Sequence, residues 1–587
     1  MSGEDVGFPG AAHLEEQHCM LEHLSTKVRQ SCVERVPAEP FLHDEHDSLA
    51  LIGFTPGVFV PDNKKLLPHD VYTFASDDRP LGRGGFGVVH RAVHGITQSV
   101  RAIKEISKAH VKDVAGLRQE VQLVKGLDHP NIVRLCETFE DRNNLYLVME
   151  LFDGGEILQN LVSLGSPCPG FPEREAGHIM RQVLRAVNYL SALNIAHRDL
   201  KLENVMLVRA VDCKSTPLKI IDFGLATAVP PEGLRAQIGT KWYMSPEVLA
   251  GKPYGLGVDV WACGVMVFML LCGKPPFYSR KHPKSETATF EAIQAAKLSF
   301  MSLAWAPRSD ACKDFIKCLL TKDLDKRATA QDALEHPWLL AIPKPYSRTI
   351  TEQDIASIRD FLQREPLVQA GCELMVASLH EHELKDHKDL FLSVDSRSKG
   401  VVTVEDLDAA IVAAGLGDLP AAKQVLEAMS VREITFRYTE FIAATIDKSV
   451  LVTADRCRNA FRVFDRDLDG GLSYSELMVV FGKDHKPKHG VSTGEGLLVD
   501  LGIQGEELEF PQFCAMMGLE GECGQPFVMD EELRTQIMHR AEEKEDDSTS
   551  YIPKFFTCCF VRDFKNALSG NVFAAGAPSA RHIRSAG

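Results

Sequence analysis

Positive charge is short in this sequence: 65 lysines and arginines stand against 81 acidic residues, a net charge of −16. Neutralising a phosphate backbone needs a basic surface, so the balance argues against a nucleic-acid binder. Long apolar runs are missing too. The longest, "VDVWACGVMVFMLLCG" at 258–273, carries Asp259 and falls short of the ~20 residues a membrane span needs; it reads as a buried core helix. The 15 cysteines include no C-x-x-C pair and no apolar signal segment opens the chain, which points away from zinc and secretion and toward a reducing, cytoplasmic setting. Ser2 stands where N-myristoylation requires glycine. What is present is ordinary: 45% hydrophobic and 25% charged residues over 587 positions, enough for several cores, and about four units at ~150 residues each.

The chain changes character along its length. Residues 1–70 are a mixed extension in which Leu14, Leu21, Leu24 and Val28 fit a short amphipathic docking helix. From 71 to 145, β-branched runs broken by glycine predict a small antiparallel sheet with one helix near 114–126, and from 155 to 339 helical periods take over. Twelve-residue loops then begin at 395, 429, 465 and 501, with spacings of 34, 36 and 36 residues. That regularity marks an internal repeat of helix–loop–helix units, set in two pairs. Beyond 520 lies an extension in which "EEKEDDS" reads as solvated and the last nineteen residues as a disordered tail.

Several short strings carry chemistry. Gly82, Gly84 and Gly87 with Val89 form G-x-G-x-x-G-x-V, in which backbone amides approach a phosphate with no Cβ in the way. Lys104 in "VRAIK" offers a cation for phosphate oxygens, and Glu120 is placed to face it from the helix. "HRDLKLEN" supplies Asp199 to accept a hydroxyl proton, Lys201 to steady the transferring phosphate and Asn204 as a metal ligand; "DFG" puts the hard oxygens of Asp222 on magnesium. Each string alone is weak, but their order and spacing together are not noise.

With these motifs the chain resembles the protein kinase family over about 72–339. "SPE" at 245–247 matches A-P-E, with Glu247 expected to pair with Arg327; "DVWACGV" matches the central large-lobe helix and "HPWL" the last helix. The resemblance implies a bilobal α+β kinase domain over 71–339. It implies ATP contacts from Leu81, Gly82, Arg83, Gly84, Gly85, Phe86, Gly87, Val89, Ala102, Lys104, Met149, Glu150 and Phe152, and magnesium on Asn204 and Asp222. Thr240 of "GTKWYMSPE" falls beside Asp199 and Lys201, a serine/threonine signature, and Glu156 and Glu203 match positions that favour a basic residue upstream of the target. A pseudokinase would have lost the lysine, the base or the metal aspartate, and none is lost. The activation segment, 222–247, has no hydroxyl residue between Thr227 and Thr240, and Ala236 stands where the activating phosphate is usually carried. Arg198 therefore has no phosphate to hold, so the segment is expected to be active without phosphorylation, with Glu232 as a candidate anchor.

The third twelve-residue loop, "DRDLDGGLSYSE", fills a calcium cage position by position. Asp465, Asp467 and Asp469 stand at positions 1, 3 and 5, Gly470 makes the turn, Gly471 offers its carbonyl, Ser473 acts directly or through water, and Glu476 closes at position 12. The other loops are degenerate. Arg397 and Lys399 put positive charge at the cation's seat in the first, the second keeps only Glu440, and the fourth ends in Gln512.

A kinase domain followed by four such units resembles the calcium-dependent protein kinases of plants and apicomplexan protists, particularly in "FIAAT" and "EFPQFCAMM". The resemblance implies an all-α EF-hand domain at 395–520, three of its hands degenerate. It also implies a junction at 340–394 whose helix, within 351–394, blocks the kinase until calcium moves it. That segment departs from the family in having Pro366 and little basic charge, against pseudosubstrate inhibition. The expected cofactors are ATP, magnesium and calcium; the expected partners are protein substrates, the chain's own hands and no nucleic acid, with the protein a monomer. Cys558 and Cys559 in "YIPKFFTCCFVRDFK" suit either an acylated membrane contact or buried inert thiols. Two rivals remain: a constitutive kinase with structural hands, and a calcium-dependent scaffold.

Overall fold

The computed structural model describes residues 62–63, 66–74, 80–84, 87–111, 114–163, 170–209, 217–277, 285–346, 348–466, 468–481 and 507–519. The expected helix around Leu14–Val28, the loop tip Gly85 and Phe86, Asp467, the start of the fourth loop, and Cys558 and Cys559 with the tail lie outside them.

The β-branched runs form seven strands: β1 (Asp62–Asn63), β2 (Tyr72–Phe74), β3 (Gly82–Gly84), β4 (Gly87–His94), β5 (Val100–Ser107), β6 (Leu135–Glu140) and β7 (Asn144–Glu150). Their order is β1-β6-β7-β5-β4-β2, with β3 paired to β4, and only the β1–β6 pairing is parallel. Gly84 opposite Gly87 closes the glycine hairpin, and Gly82 stands opposite Val89. Gly87 must be glycine for a packing reason: a Cβ there would lie 1.7 Å from the Glu105 carbonyl oxygen. Helix α1 (Val114–Lys125) lays Val121 on Ile106, Leu135 and Leu145 of this sheet.

The large lobe is built on α2 (Glu173–Ala192) and α3 (Gly257–Cys272). Apolar side chains all round α3 bury Val258 through Cys272, as expected of a core helix. No helix among the described residues is long and apolar enough to cross a membrane.

Beyond Tyr346 a second helical unit begins, with a core that runs from Tyr346 to Met517. It comprises α4 (Glu352–Leu362), α5 (Pro366–Ala377), α6 (Glu381–Val394), α7 (Val404–Ala413), α8 (Pro420–Val431), α9 (Tyr438–Thr445), α10 (Ala454–Phe464), α11 (Tyr474–Phe481) and α12 (Phe510–Met517). Pro366 is the first residue of α5, where its missing N–H costs nothing. Among the described residues, antiparallel strands join the expected loops in two pairs: Val401–Val402 with Phe436–Arg437, and Gly471–Ser473 with Glu507–Glu509. The junction, expected to carry a helix that blocks the kinase, packs its helices into this second unit. Ile355, Leu367 and Phe391 share the core of Phe436, Phe461 and Phe513, because their apolar faces find a larger apolar partner there than on a solvated cleft.

Candidate active site and calcium loop

Asp259, the carboxylate inside the apolar α3, explains how the catalytic loop is held. Its oxygens accept from the backbone amides of His197 (2.7 Å) and Arg198 (2.9 Å), and Arg198 takes the left-handed backbone conformation, φ 67°. The next residue, Asp199, is thereby aimed at the activation segment. Its Oδ1 accepts from the Thr240 amide (2.9 Å) and hydroxyl (2.6 Å), and its Oδ2 from Lys201 Nζ (2.6 Å). Lys201 also donates to Thr240 Oγ1 (3.0 Å), and Asn204 Nδ2 donates to the Asp199 carbonyl (2.9 Å). Burial opposes the charge on Lys201, but Asp199 and Glu203 hold its pKa above the ordinary lysine value.

Lys104 Nζ lies 3.9 Å from Asp222 Oδ1. Burial would raise the Asp222 carboxyl, yet Lys104 and Lys201 hold it below its usual range, so a carboxylate faces the cleft. Glu120 is half-buried on α1, the helix packed on the Lys104 sheet. Leu81, Val89 and Ala102 form one apolar patch with Leu151 beside them, and Met149 sits opposite Ala102 in the β5–β7 register. Glu150 accepts from the Arg134 amide (2.9 Å) and Lys219 (3.1 Å). Despite burial, these two cations bring its pKa down to about 2, so its side chain is engaged away from the nucleotide positions. Phe152 belongs to the large-lobe core. Glu156 and Glu203 are buried rather than exposed carboxylates; Glu203 accepts from the Tyr243 hydroxyl (3.2 Å), and burial raises its pKa. Arg327 and Glu247 form the expected pair, bidentate at 2.7 and 3.0 Å, with the guanidinium over the Trp261 ring.

Glu232 does not anchor the activation segment: it is exposed. Main-chain pairing does that work, from Thr227 and Ala228 onto Ala196 and Ile195, and from Leu234 onto Tyr254. Backbone amides need partners wherever the chain runs over a buried surface, and these supply them without a charge.

In the third loop Asp465 is almost wholly buried. Its Oδ2 accepts from the Gly470 amide (3.0 Å), and its Oδ1 has no partner among the described residues. Burial, with Glu476 and Asp469 adding to it, pushes the Asp465 carboxyl up to about 7. Asp469 accepts from the Gly471 amide (3.0 Å); Glu476 accepts from the Arg466 amide (2.6 Å) and the Ser473 hydroxyl (2.7 Å). Among the described residues no three such side chains already converge as a cage. The donor set nonetheless fits a hard divalent cation, with a buried carboxylate oxygen left over and carboxylates that repel one another. In the degenerate loops Asp395 accepts from the Lys399 and Gly400 amides, Glu440 pairs with Arg437, and Gln512 accepts from the Glu509 amide.

The third loop also touches the kinase lobe, which sequence reading missed. Leu468, at loop position 4, is buried in one cluster with Tyr72, Ala92, Ile103, Phe139 and Val148 of the seven-stranded sheet and with Leu66 and Val71 just before its strand β2. One helical turn before the loop, Arg462 on α10 donates to both oxygens of the buried Glu137 on β6 (3.1 and 3.2 Å), which also accepts from the Tyr72 hydroxyl. Elsewhere the kinase reaches the helical unit through its backbone. Arg134 donates to the Ala377 carbonyl (2.9 Å), Asn188 to the Ser398 carbonyl (2.9 Å), and Asp128 accepts from the Thr439 amide (2.8 Å). The only sequence signal for Leu468 was an apolar residue at an outward position of a polar loop.

The protein kinase domain family matches residues 75–339. Calcium-dependent protein kinase 3 of Plasmodium berghei (strain Anka) is 33% identical over 465 residues, covering 77% of this chain and 81% of the relative. Calcium-dependent protein kinase 2 of Zea mays is 31% identical over 458 residues, 76% and 86%, and calcium-dependent protein kinase 21 of Arabidopsis thaliana 32% over 459 residues, 76% and 83%. Matches of this extent reach well beyond the kinase domain, and the chain belongs to the calcium-dependent protein kinase family.

Proposed function

We propose that the protein is a calcium-regulated serine/threonine kinase whose calcium sensor is the single loop Asp465–Glu476. The observation that carries the regulatory part is Leu468: a residue of the calcium loop itself completes an apolar cluster of the kinase lobe, so a change in loop shape is felt by the sheet that carries Lys104. Within the active site, Asp199 accepts the proton of the substrate hydroxyl, Lys201 balances the charge of the phosphoryl group in transfer, and Thr240 fixes both. Asn204 and Asp222 would hold magnesium, whose charge offsets that of the phosphate oxygens. Positioning and electrostatics of this kind account for most of phosphoryl-transfer catalysis. The family resemblance is what supports assigning Glu156 and Glu203 to a basic side chain upstream of the target.

Calcium activates in this reading, because the docked third loop coexists with an assembled Asp199–Lys201–Thr240 cluster and with a junction packed into the core of the helical unit. The test is transfer from ATP-magnesium to an Arg-x-x-Ser peptide, with calcium or chelator, in wild type and Glu476→Gln. Calcium should raise the rate, and Glu476→Gln should abolish that increment alone. Equal rates with and without calcium would instead establish a constitutive enzyme with structural hands. That second reading has one observation behind it: the contacts of Ser398 and Thr439 with the kinase use no calcium-ligand chemistry.

A further inference from the structure

Two of the twelve-residue loops touch the kinase through the same position. Ser398 is the fourth residue of the first loop and Leu468 the fourth of the third; both take the left-handed backbone conformation, φ 53° and 60°, and both are buried. They meet different lobes. Leu468 enters the apolar cluster on the seven-stranded sheet, whereas Ser398 lies on α2 of the large lobe. Its carbonyl accepts from Asn188 Nδ2 (2.9 Å) and its hydroxyl from Arg185 Nε (3.3 Å). Asn188 also donates to the Arg397 carbonyl (3.2 Å). Gly400, two residues on, faces the Tyr189 ring, which is stacked on His129 with centroids 5.1 Å apart.

The second loop closes on the same patch. Strand Val401–Val402 pairs with Phe436–Arg437, and just beyond it Thr439 donates its amide (2.8 Å) and hydroxyl (2.7 Å) to the Asp128 carboxylate. The Asp128 amide in turn donates to the Tyr189 hydroxyl (3.0 Å), so one tyrosine of the large lobe joins both contacts. The shape of the first loop needs no ion. Asp395 at position 1 accepts from the Lys399 and Gly400 amides, both at 2.9 Å. Positions 3 and 5 carry the exposed side chains of Arg397 and Lys399, whose positive charge opposes a divalent cation. Position 4 of the first loop is therefore the same with calcium and without it. Leu468, by contrast, stands between Asp465 and Asp469, like charges that a bound cation draws together.

We propose that the first two loops are a calcium-independent anchor of the helical unit on the large lobe, about which calcium at the third loop moves Leu468 onto the sheet of the other lobe. The degenerate loops are then docking loops: Arg185, Asn188 and Asp128 of the kinase take up groups of Ser398, Arg397 and Thr439, and no ligand chemistry is spent. With one foot fixed on the large lobe and the other conditional on the sheet, calcium sets how the two lobes stand to each other, as a shift about a hinge rather than release and recapture of a whole domain.

This inference rests on the reading of a calcium-regulated kinase, and the experiment separates the two. In the full-length protein the pair Asp128→Cys and Thr439→Cys, placed where the two side chains meet, is oxidised to a disulfide that locks the anchor, with the bond confirmed by mass mapping. Peptide phosphorylation is titrated with calcium in the oxidised and reduced forms. A contact that is never released loses nothing by being locked, so the oxidised protein should keep its calcium increment, with half-maximal calcium within about twofold of wild type. A lock that abolishes the increment, or that makes the enzyme active in chelator, overturns the proposal. Amide exchange of the unmodified protein tests it without any substitution. On chelation, 185–189 and 395–402 should keep their protection within about twofold, while 66–74 and 462–468 exchange about tenfold faster or more; loss of protection in both patches together overturns the anchor. Absence of transfer by the wild type would refute the kinase reading, and equal wild-type rates in calcium and chelator would refute the calcium control, with exchange at 185–189 and 395–402 still deciding the anchor.

Discussion

Truncating Leu468 to alanine tests the coupling between the calcium loop and the kinase lobe. The side chain is buried against Leu66, Val71, Tyr72 and Phe139, and leucine-to-alanine changes at such sites cost ~2–5 kcal/mol. The site lies between two units that can settle together, so the low end applies, ~2 kcal/mol. That is about a 30-fold loss in the docking equilibrium, at a factor of ten per ~1.4 kcal/mol. Leu468 has φ 60°, a conformation as strained for alanine as for leucine, so the backbone cost cancels between the two proteins. Its side chain occupies no ligand position, so the loop's intrinsic affinity for calcium is unaffected. Linkage then demands that the calcium needed for half-maximal activity rise, by up to about 30-fold for a single site. The assay is a calcium titration of peptide phosphorylation by full-length wild type and Leu468→Ala. A half-maximal calcium concentration within twofold of wild type would refute the argument that the loop acts on the kinase through this contact.

Arg327→Met leaves Glu247 buried without its bidentate partner; a stranded buried charge costs ~3–5 kcal/mol, and differential scanning calorimetry should find the kinase-domain transition lowered by roughly 10 °C. Glu373 on α5 has its pKa raised well above the carboxylate range, by burial and then by Glu440, with Arg437 opposing. A carboxyl whose folded pKa is raised binds its proton more tightly when folded, so its contribution is present at low pH and is lost as pH rises toward the folded value. Glu373→Gln should therefore melt about 2 °C or more above wild type at pH 8, with the gain shrinking at pH 5; a lower melting temperature at pH 8 would contradict this sign. Gly400 packs against the Tyr189 ring, which a Cβ would approach to 2.5 Å. Gly400→Ala should loosen the first loop from α2, visible as faster amide exchange around 398–400, and unaltered exchange would show that the contact is not held.

Residues that act through their own functional groups were legible because each is fixed by chemical type. Asp199 and Lys201 of one string and Thr240 of another meet within 3.0 Å. The carboxylates of the third loop were legible at a spacing that only a cage requires. Less legible were residues whose task is to hold others. Asp259 was visible only as an oddity in an apolar run, although it carries the catalytic loop through two backbone amides. Glu232, the candidate anchor, is exposed; the segment is tied instead by main-chain pairing, as of Leu234 with Tyr254. Hydrogen bonds to backbone carbonyls leave no pattern in side-chain types, and motif reading passes over them.

The sequence by itself determined the two chemistries and their order along the chain, because phosphate handling and cation binding both demand specific atoms at close spacing, and only a few residue types supply them. Tertiary structure decided how the two speak to each other. Leu468, Arg462 and Glu137 are ordinary residues in their own segments, and 325 positions separate the last two. Their meaning comes from burial in a shared interface, where an apolar side chain gains by leaving water and a charge must find its opposite. That requirement is set by which surfaces meet, and surfaces meet only in the fold.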